Sequence, residues 1–210
     1  ELGIALPGLS LICPDSHTCT LGGLGALAWG VGSTEAEHAL ATSTLRVTRP
    51  KTMRVTFEGA LPDSATAKDL ILFTIRELSG AGGAGYAIEF AGPAIQALAV
   101  EARLTLCNMA TELSAFTGLI APDQKVFEYC NGRRYAPRGV AWDQANAHWH
   151  GLQSDEGARF DREHVVDIRA LKPQLSWGTS PQHAIDWDGV VPHVIDAPDD
   201  ATAVAWQRAQ

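Results

Sequence analysis

The sequence predicts an α/β fold built of α/β/α layers, and three observations carry that prediction. Strand alternation and helical periodicity take turns over residues 50 to 125, the order that parallel sheets with crossover helices produce. A short apolar run, Leu9 to Ile12, ends in Cys-Pro-Asp-Ser-His-Thr-Cys-Thr at positions 13 to 20 and is followed at once by a glycine-rich segment, Leu21 to Gly32. That is how α/β sheets present chemistry at their strand ends. The 210 residues are 46% hydrophobic and 19% charged, enough apolar surface for a sizeable core.

The elements follow in order. Leu9 to Ile12 reads as a buried strand. Leu24 to Thr44 reads as a helix with Leu27, Val31, Ala39 and Leu40 among its apolar positions, its glycines allowing close approach. Thr48-Arg-Pro-Lys marks a boundary. Thr52 to Glu58 alternates as a strand, and Thr66 to Leu78 is an amphipathic helix opened by Thr66 with acidic Asp69 in its first turn. Gly80 to Gly85 is a mobile glycine loop, and Tyr86 to Phe90 returns as a strand. Ala94 to Ala115 is helical with a break near Val100, and Leu119 to Ala121 is a short buried strand ending at Pro122. Residues 131 to 164 are more polar, with a short helix over Trp142 to Leu152. Val165 to Ile168 is a further strand, and Pro173 to Pro181 a linker.

Composition excludes several classes of function. A formal charge of −8 and a pI near 5.3 argue against nucleic acid, because phosphate binding needs clustered cations and only 16 Lys and Arg are scattered along the chain. No apolar run approaches the roughly 20 residues of a membrane span, and no signal peptide is visible, so a soluble, cytoplasmic protein is expected. The four cysteines, Cys13, Cys19, Cys107 and Cys130, show no CxxC spacing and read as reduced thiols. The first residue is Glu, which points to a processed chain or a portion of a longer one.

Two groups of residues could carry chemistry. On an extended strand end Asp15 and His17 share one face while Ser16 and Thr18 share the other, which would set a carboxylate beside an imidazole as a general acid or base. The alternative is that Asp15 caps the following helix and His17 fills a turn. In the segment from Leu104 to Leu113, Thr105, Asn108 and Glu112 form one polar line at i, i+3 and i+7 on an otherwise apolar helix. If that line is buried, Glu112 needs a partner, an ion or a functional cavity; otherwise it faces solvent.

Other motifs carry less. His148-Trp-His150 splays its rings on a helix, Ser16-His17 has no GxSxG elbow, and neither Gly80 to Gly85 nor Gly22-Gly-Leu-Gly matches a phosphate-binding pattern. Cys107 and Cys130 read as packed small hydrophobes. A mononuclear metal site on Asp15, His17 and Glu112 is a further alternative.

Taken in order, Cys13-Pro-Asp-Ser-His-Thr-Cys-Thr with Gly22-Gly-Leu-Gly-Ala, Ala81-Gly-Gly-Ala-Gly-Tyr-Ala-Ile-Glu-Phe, Leu106-Cys-Asn-Met-Ala-Thr-Glu, Ser154-Asp-Glu-Gly-Ala and Ser176-Trp-Gly-Thr-Ser-Pro resemble the aconitase superfamily over nearly the whole chain. The Ser154 and Ser176 segments, with Gly132-Arg-Arg-Tyr-Ala-Pro, are most similar to its bacterial branch that isomerises isopropylmalate in leucine biosynthesis. The resemblance implies a hydro-lyase acting on a small hydroxy-dicarboxylic or tricarboxylic acid through a four-iron four-sulfur cluster, whose open iron serves as a Lewis acid. It implies that Asp15, His17 and Glu112 are catalytic, that Ser16, Thr18 and Asn108 help bind substrate, and that no metal ligand lies in this chain. The cluster cysteines are expected outside it, downstream of the Trp177-Gly-Thr-Ser-Pro segment. A small swivel-domain subunit is the implied partner, supplying a catalytic serine and substrate-binding arginines. Residues 1 to 48 would end a first aconitase-like α/β domain, 49 to 165 form a second, and 166 to 210 form a linker and the start of a third. Pro14 and Leu21 replace a common Gly and a common His of the branch, which leaves citraconate or methylmalate hydratases and homoaconitase as alternative subtypes. A truncated, non-catalytic scaffold is the alternative outside the enzymes.

Overall fold

The computed structural model describes residues 1–209. Its elements are β1 (Ser10–Cys13), a 3₁₀ turn (Thr18–Leu24), β2 (Leu27–Gly30), α1 (Ser33–Thr42), β3 (Lys51–Glu58), α2 (Ala67–Leu78), β4 (Tyr86–Ala91), α3 (Pro93–Ala97) and α4 (Val100–Asn108). A second 3₁₀ turn (Met109–Leu113), β5 (Thr117–Leu119), α5 (Gln124–Cys130), α6 (Val140–Trp149), β6 (Arg162–Asp167), β7 (Gln174–Ser176), β8 (Ala184–Asp186) and α7 (Asp200–Ala209) follow, with single 3₁₀ turns at His150–Leu152 and Val194–Asp196.

The frame is an all-parallel sheet in the order β5-β4-β3-β6. The alternation in β3 puts Met53, Val55 and Phe57 into the core, all fully buried, while Thr52, Arg54 and Thr56 face a half-open side. Such a sheet needs cover. α2 supplies part of it through Leu70, Ile71 and Ile75, and α4 with the turn behind it adds Leu106, Cys107 and Leu113 to the same cluster. α2 starts where a reciprocal cap holds it: the Thr66 hydroxyl accepts from the Asp69 amide, and the Asp69 carboxylate accepts from the Thr66 amide at 2.7 Å. A smaller cluster of Leu24, Val126, Phe127, Cys130 and Trp149 joins α5 and α6 to the glycine turn.

Several elements differ from expectation for physical reasons. Leu24 to Thr44 is not one helix: Gly25 is left-handed at φ 78°, and Leu27–Gly30 then pairs in parallel with β1 from Ser10↔Leu27 to Cys13↔Gly30 before α1 begins. β1 is not buried, since Leu9 is 42% and Ile12 37% exposed. The last strand of the parallel run is Thr117–Leu119 rather than Leu119 to Ala121, registered Ile88↔Gly118. α5 appears where no element was expected, with Asp123 capping it by accepting from the Lys125 and Val126 amides. The expected helix from Ala94 to Ala115 breaks at Leu98 and Ala99, near Val100 as predicted, and its end tightens into the second 3₁₀ turn. The expected linker, Pro173 to Pro181, contains β7, which forms a hairpin with β8.

Arg103, on α4, is the largest fully buried side chain. Its Nη2 donates to Asp123 Oδ2 at 2.6 Å and to the Gln96 carbonyl at 3.1 Å, and Nε donates to the Leu98 carbonyl at 3.3 Å. Burial pushes the Asp123 carboxyl up, but the Arg103 hydrogen bond and charge together with the α5 amides outweigh it and hold the carboxyl below its ordinary value. A carboxyl more acidic in the folded than in the unfolded state stabilises the fold above its unfolded value, near pH 4, and that contribution fades as pH falls through the depressed value. Asp123→Asn in the full-length protein is therefore expected to cost about 3 kcal/mol at pH 7. The gap between variant and wild type in urea unfolding should narrow below about pH 4; a gap independent of pH would contradict the pairing.

Candidate active site

The chain does not leave β1 in an extended conformation. Residues 14–17 turn, so the same-face pairing of Asp15 with His17 does not form. Asp15 Oδ1 instead accepts from the His17 amide at 2.7 Å and closes a local turn; it does not cap the following helix as the alternative had it, since His17 stands at the N-cap and no side chain caps it. Thr18 is 7% exposed, and its hydroxyl donates to the Asp15 carbonyl at 2.6 Å and to the Cys13 carbonyl at 3.4 Å. It locks the turn from inside. Ser16, expected on the opposite face from His17, is brought beside it, with Oγ 3.0 Å from His17 Nδ1.

The other imidazole nitrogen meets the second predicted group. His17 Nε2 lies 3.6 Å from Glu112 Oε1, with the side chains 40% and 35% exposed, so the pair is open to solvent on one side. The expected polar line does not persist as one helical stripe, because α4 ends at Asn108 and Glu112 belongs to the 3₁₀ turn after it. Thr105 takes no part, donating to the Glu101 carbonyl at 3.1 Å. Asn108 Nδ2 donates to Thr20 Oγ1 at 2.9 Å, and Thr20 Oγ1 donates to the His17 carbonyl at 2.6 Å, so Asn108 steadies the backbone that carries the imidazole. Thr20 is the residue that sequence reasoning missed. Its signal was a hydroxyl three positions after His17, where it reaches back to close a turn.

Glycine spacing makes the arrangement possible. A Cβ on Gly30, at the end of β2, would stand 2.6 Å from the Asp15 carbonyl oxygen. One on Gly23 would stand 2.8 Å from the Arg103 carbonyl carbon. The turn thus packs backbone against backbone on both sides. Elsewhere, the amides of Gly80 and Gly83 donate to the Gln182 side chain and the Leu113 carbonyl, both at 2.9 Å or less, so the glycine loop is tied into the fold. His150 sits edge-on to Phe127, 4.8 Å between centroids, as part of an aromatic cluster.

With this geometry in view, the family comparison is decisive. The family model described as the aconitase family (aconitate hydratase) matches residues 1–210. The chain belongs to the aconitase family. It is 55% identical over 201 residues to a protein named 3-isopropylmalate dehydratase large subunit 1 from Bradyrhizobium diazoefficiens. The match covers 96% of this chain and 42% of that relative, so the chain spans less than half the relative's length.

Members of this family imply an iron-sulfur cluster, and the thiols here do not fit one as ligands. Cys19, Cys107 and Cys130 are buried, and burial pushes each thiol above its ordinary value, whereas a cluster ligand is a thiolate. Cys13 alone is exposed. Among the described residues no three or more His, Cys, Asp or Glu converge to hold a metal ion, Asp15, His17 and Glu112 included.

Gly30→Ala should force the Asp15 turn aside and destabilise full-length protein by about 1–3 kcal/mol in denaturant titration. Gly32→Ser, whose Cβ would meet only the tip of Glu35 at 3.6 Å, is the control and should stay within about 0.5 kcal/mol. Equal stability of the two variants would contradict the close packing.

Proposed function

We propose that this chain is part of the large subunit of a two-subunit hydro-lyase that interconverts 2-isopropylmalate and 3-isopropylmalate in leucine biosynthesis, by removing and re-adding water. The approach of His17 to Glu112 carries the reading, because a solvent-open imidazole and carboxylate at a strand end form a device for moving a proton. The likeness to a relative named as such a large subunit supplies the substrate class. A small swivel-domain subunit is the proposed partner, and the cytoplasm the proposed location; no helix of the described residues is long and apolar enough to cross a membrane. The cluster, of the four-iron four-sulfur type, is assigned to cysteines outside these 210 residues.

Dehydration of a hydroxy acid moves two protons: one leaves carbon, and one must reach the departing hydroxyl oxygen. The carbon proton goes to the catalytic serine that the family resemblance gives to the small subunit, and His17 with Glu112 suits the second task. Ser16 holds the ring through Nδ1, which leaves Nε2, with Glu112 Oε1 3.6 Å away, to pass a proton to the hydroxyl; rehydration takes it back. Asp15, Thr18 and Asn108 act one step removed, since their polar groups hold the turn that presents His17 and Ser16. Ser16 is the substrate-facing hydroxyl of this set.

The test is turnover of the full-length large subunit assembled with its small subunit under anaerobic conditions. His17→Ala and Glu112→Gln should keep the cluster's visible absorption and lose about 10²–10⁴ in kcat. Wild-type turnover in either variant would refute the assignment. Parallel assays with 3-isopropylmalate, citraconate and homoaconitate separate the substrate subtypes, and the reading requires the first to be preferred.

A further inference from the structure

We propose that Thr20 is a positioning residue for the His17–Glu112 pair: its hydroxyl ties together the residues from which the two 3₁₀ turns start, and so sets how closely the imidazole approaches the carboxylate. The proposal rests on the proton-handling role given above to that pair. The two side chains do not fix their own distance. At 3.6 Å, and 40% and 35% exposed, their attraction is screened by water and too weak to hold two side chains in one geometry. The backbones that carry them must set it.

His17 immediately precedes the turn Thr18–Leu24, and Asn108 immediately precedes the turn Met109–Leu113 that carries Glu112. One hydroxyl reaches both. Thr20 Oγ1 donates its single proton to the His17 carbonyl at 2.6 Å, so toward Asn108 it can only accept, and Asn108 Nδ2 donates to it at 2.9 Å. The chain of bonds therefore runs one way, from Asn108 through Thr20 to His17, and bonds aligned in this manner polarise and strengthen one another. The Thr20 amide donates to the same His17 carbonyl at 3.0 Å, so a single residue holds that carbonyl twice.

Docking of the turn and its fine position are separable. The close approach of Gly23 to α4 presses the turn into place, the Ile120 amide donates to the Gly22 carbonyl at 3.0 Å, and Cys19, 3% exposed, donates to the Asn108 carbonyl at 3.6 Å. None of these contacts involves the His17 carbonyl. Removing the Thr20 hydroxyl therefore leaves the turn docked, takes one of two bonds from the His17 carbonyl and leaves the Asn108 amide without its acceptor. Valine keeps the branched shape and removes both hydroxyl bonds; serine keeps both and loses only the methyl.

The test uses the full-length large subunit assembled with its small subunit under anaerobic conditions. Thr20→Val should keep the cluster's visible absorption, leave KM within about threefold and lose at least about tenfold in kcat, because a displacement of about 1 Å in a catalytic group is enough for such a loss. Thr20→Ser should recover most of it. On a His17→Ala background Thr20→Val should subtract no more than about a further twofold, since it acts through the imidazole. A crystal structure of Thr20→Val should show the turn docked and His17 Nε2 farther than 3.6 Å from Glu112 Oε1. Wild-type kcat in Thr20→Val, no recovery with Thr20→Ser, an unchanged distance, or the full loss repeated on the His17→Ala background overturns the positioning role and leaves that of the pair standing. Wild-type turnover in His17→Ala overturns both. If Thr20→Val does not fold, a crystal structure of the wild-type assembled enzyme decides the matter: Thr20 Oγ1 bridging the His17 carbonyl and Asn108 Nδ2 supports the proposal, and a hydroxyl turned away from either refutes it.

Discussion

The arrangement depends on one steric condition: the turn Thr18–Leu24 lies backbone against backbone on both β5 and α4. A Cβ on Gly22 would run into the Gly118 carbonyl, and one on Gly23 would stand 2.8 Å from the amide nitrogen of Leu104. Only glycine permits both approaches. The contact is also hydrogen-bonded, with the Ile120 amide donating to the Gly22 carbonyl at 3.0 Å. Through it the small β1–β2 pair is fastened to the four-stranded sheet, and His17 is held within reach of a carboxylate that belongs to a distant part of the chain.

α4 links two chemically different ends. At its start Arg103 is buried, neutralised by Asp123, and lines a cavity at the carboxyl ends of β4 and β5. Beyond its last residue, Asn108, Glu112 faces His17 with partial access to solvent. Between the two ends the face toward the turn is closed by thiols kept neutral by burial, Cys19 donating weakly to the Asn108 carbonyl at 3.6 Å. Ionic groups thus stand at either end of an apolar middle, where unpaired charge would be most costly.

The α/β class and the parallel alternation were legible in the sequence, as were the two polar groups from which the candidate site is proposed, because each rests on local pattern. Met53, Val55 and Phe57 alternate, Thr66 and Asp69 cap, and Asp15-Ser-His forms a motif that belongs to a family. What was not legible depended on tertiary contact. Leu27-Ala-Trp-Gly has helical neighbours in sequence and becomes a strand only because β1 pairs with it. α5 had a usable signal in the Asp123 cap and in Val126, Phe127 and Cys130 at helical spacing, obscured by the turn-forming Pro122 ahead of it. Alternation placed Asp15 beside His17, but alternation holds only for extended chain, and the Asp15 carboxylate closed the turn instead. Spacing alone offers no route to the meeting of His17 and Glu112, since it is made by two glycines packing against other backbones.

The most direct test of that claim is a crystal structure of the full-length Gly23→Ala variant. The account predicts that the added methyl lifts the turn from α4, breaks the Asn108–Thr20 hydrogen bond and opens the His17 Nε2 to Glu112 Oε1 distance well beyond 3.6 Å. A docked turn with that distance unchanged would contradict it.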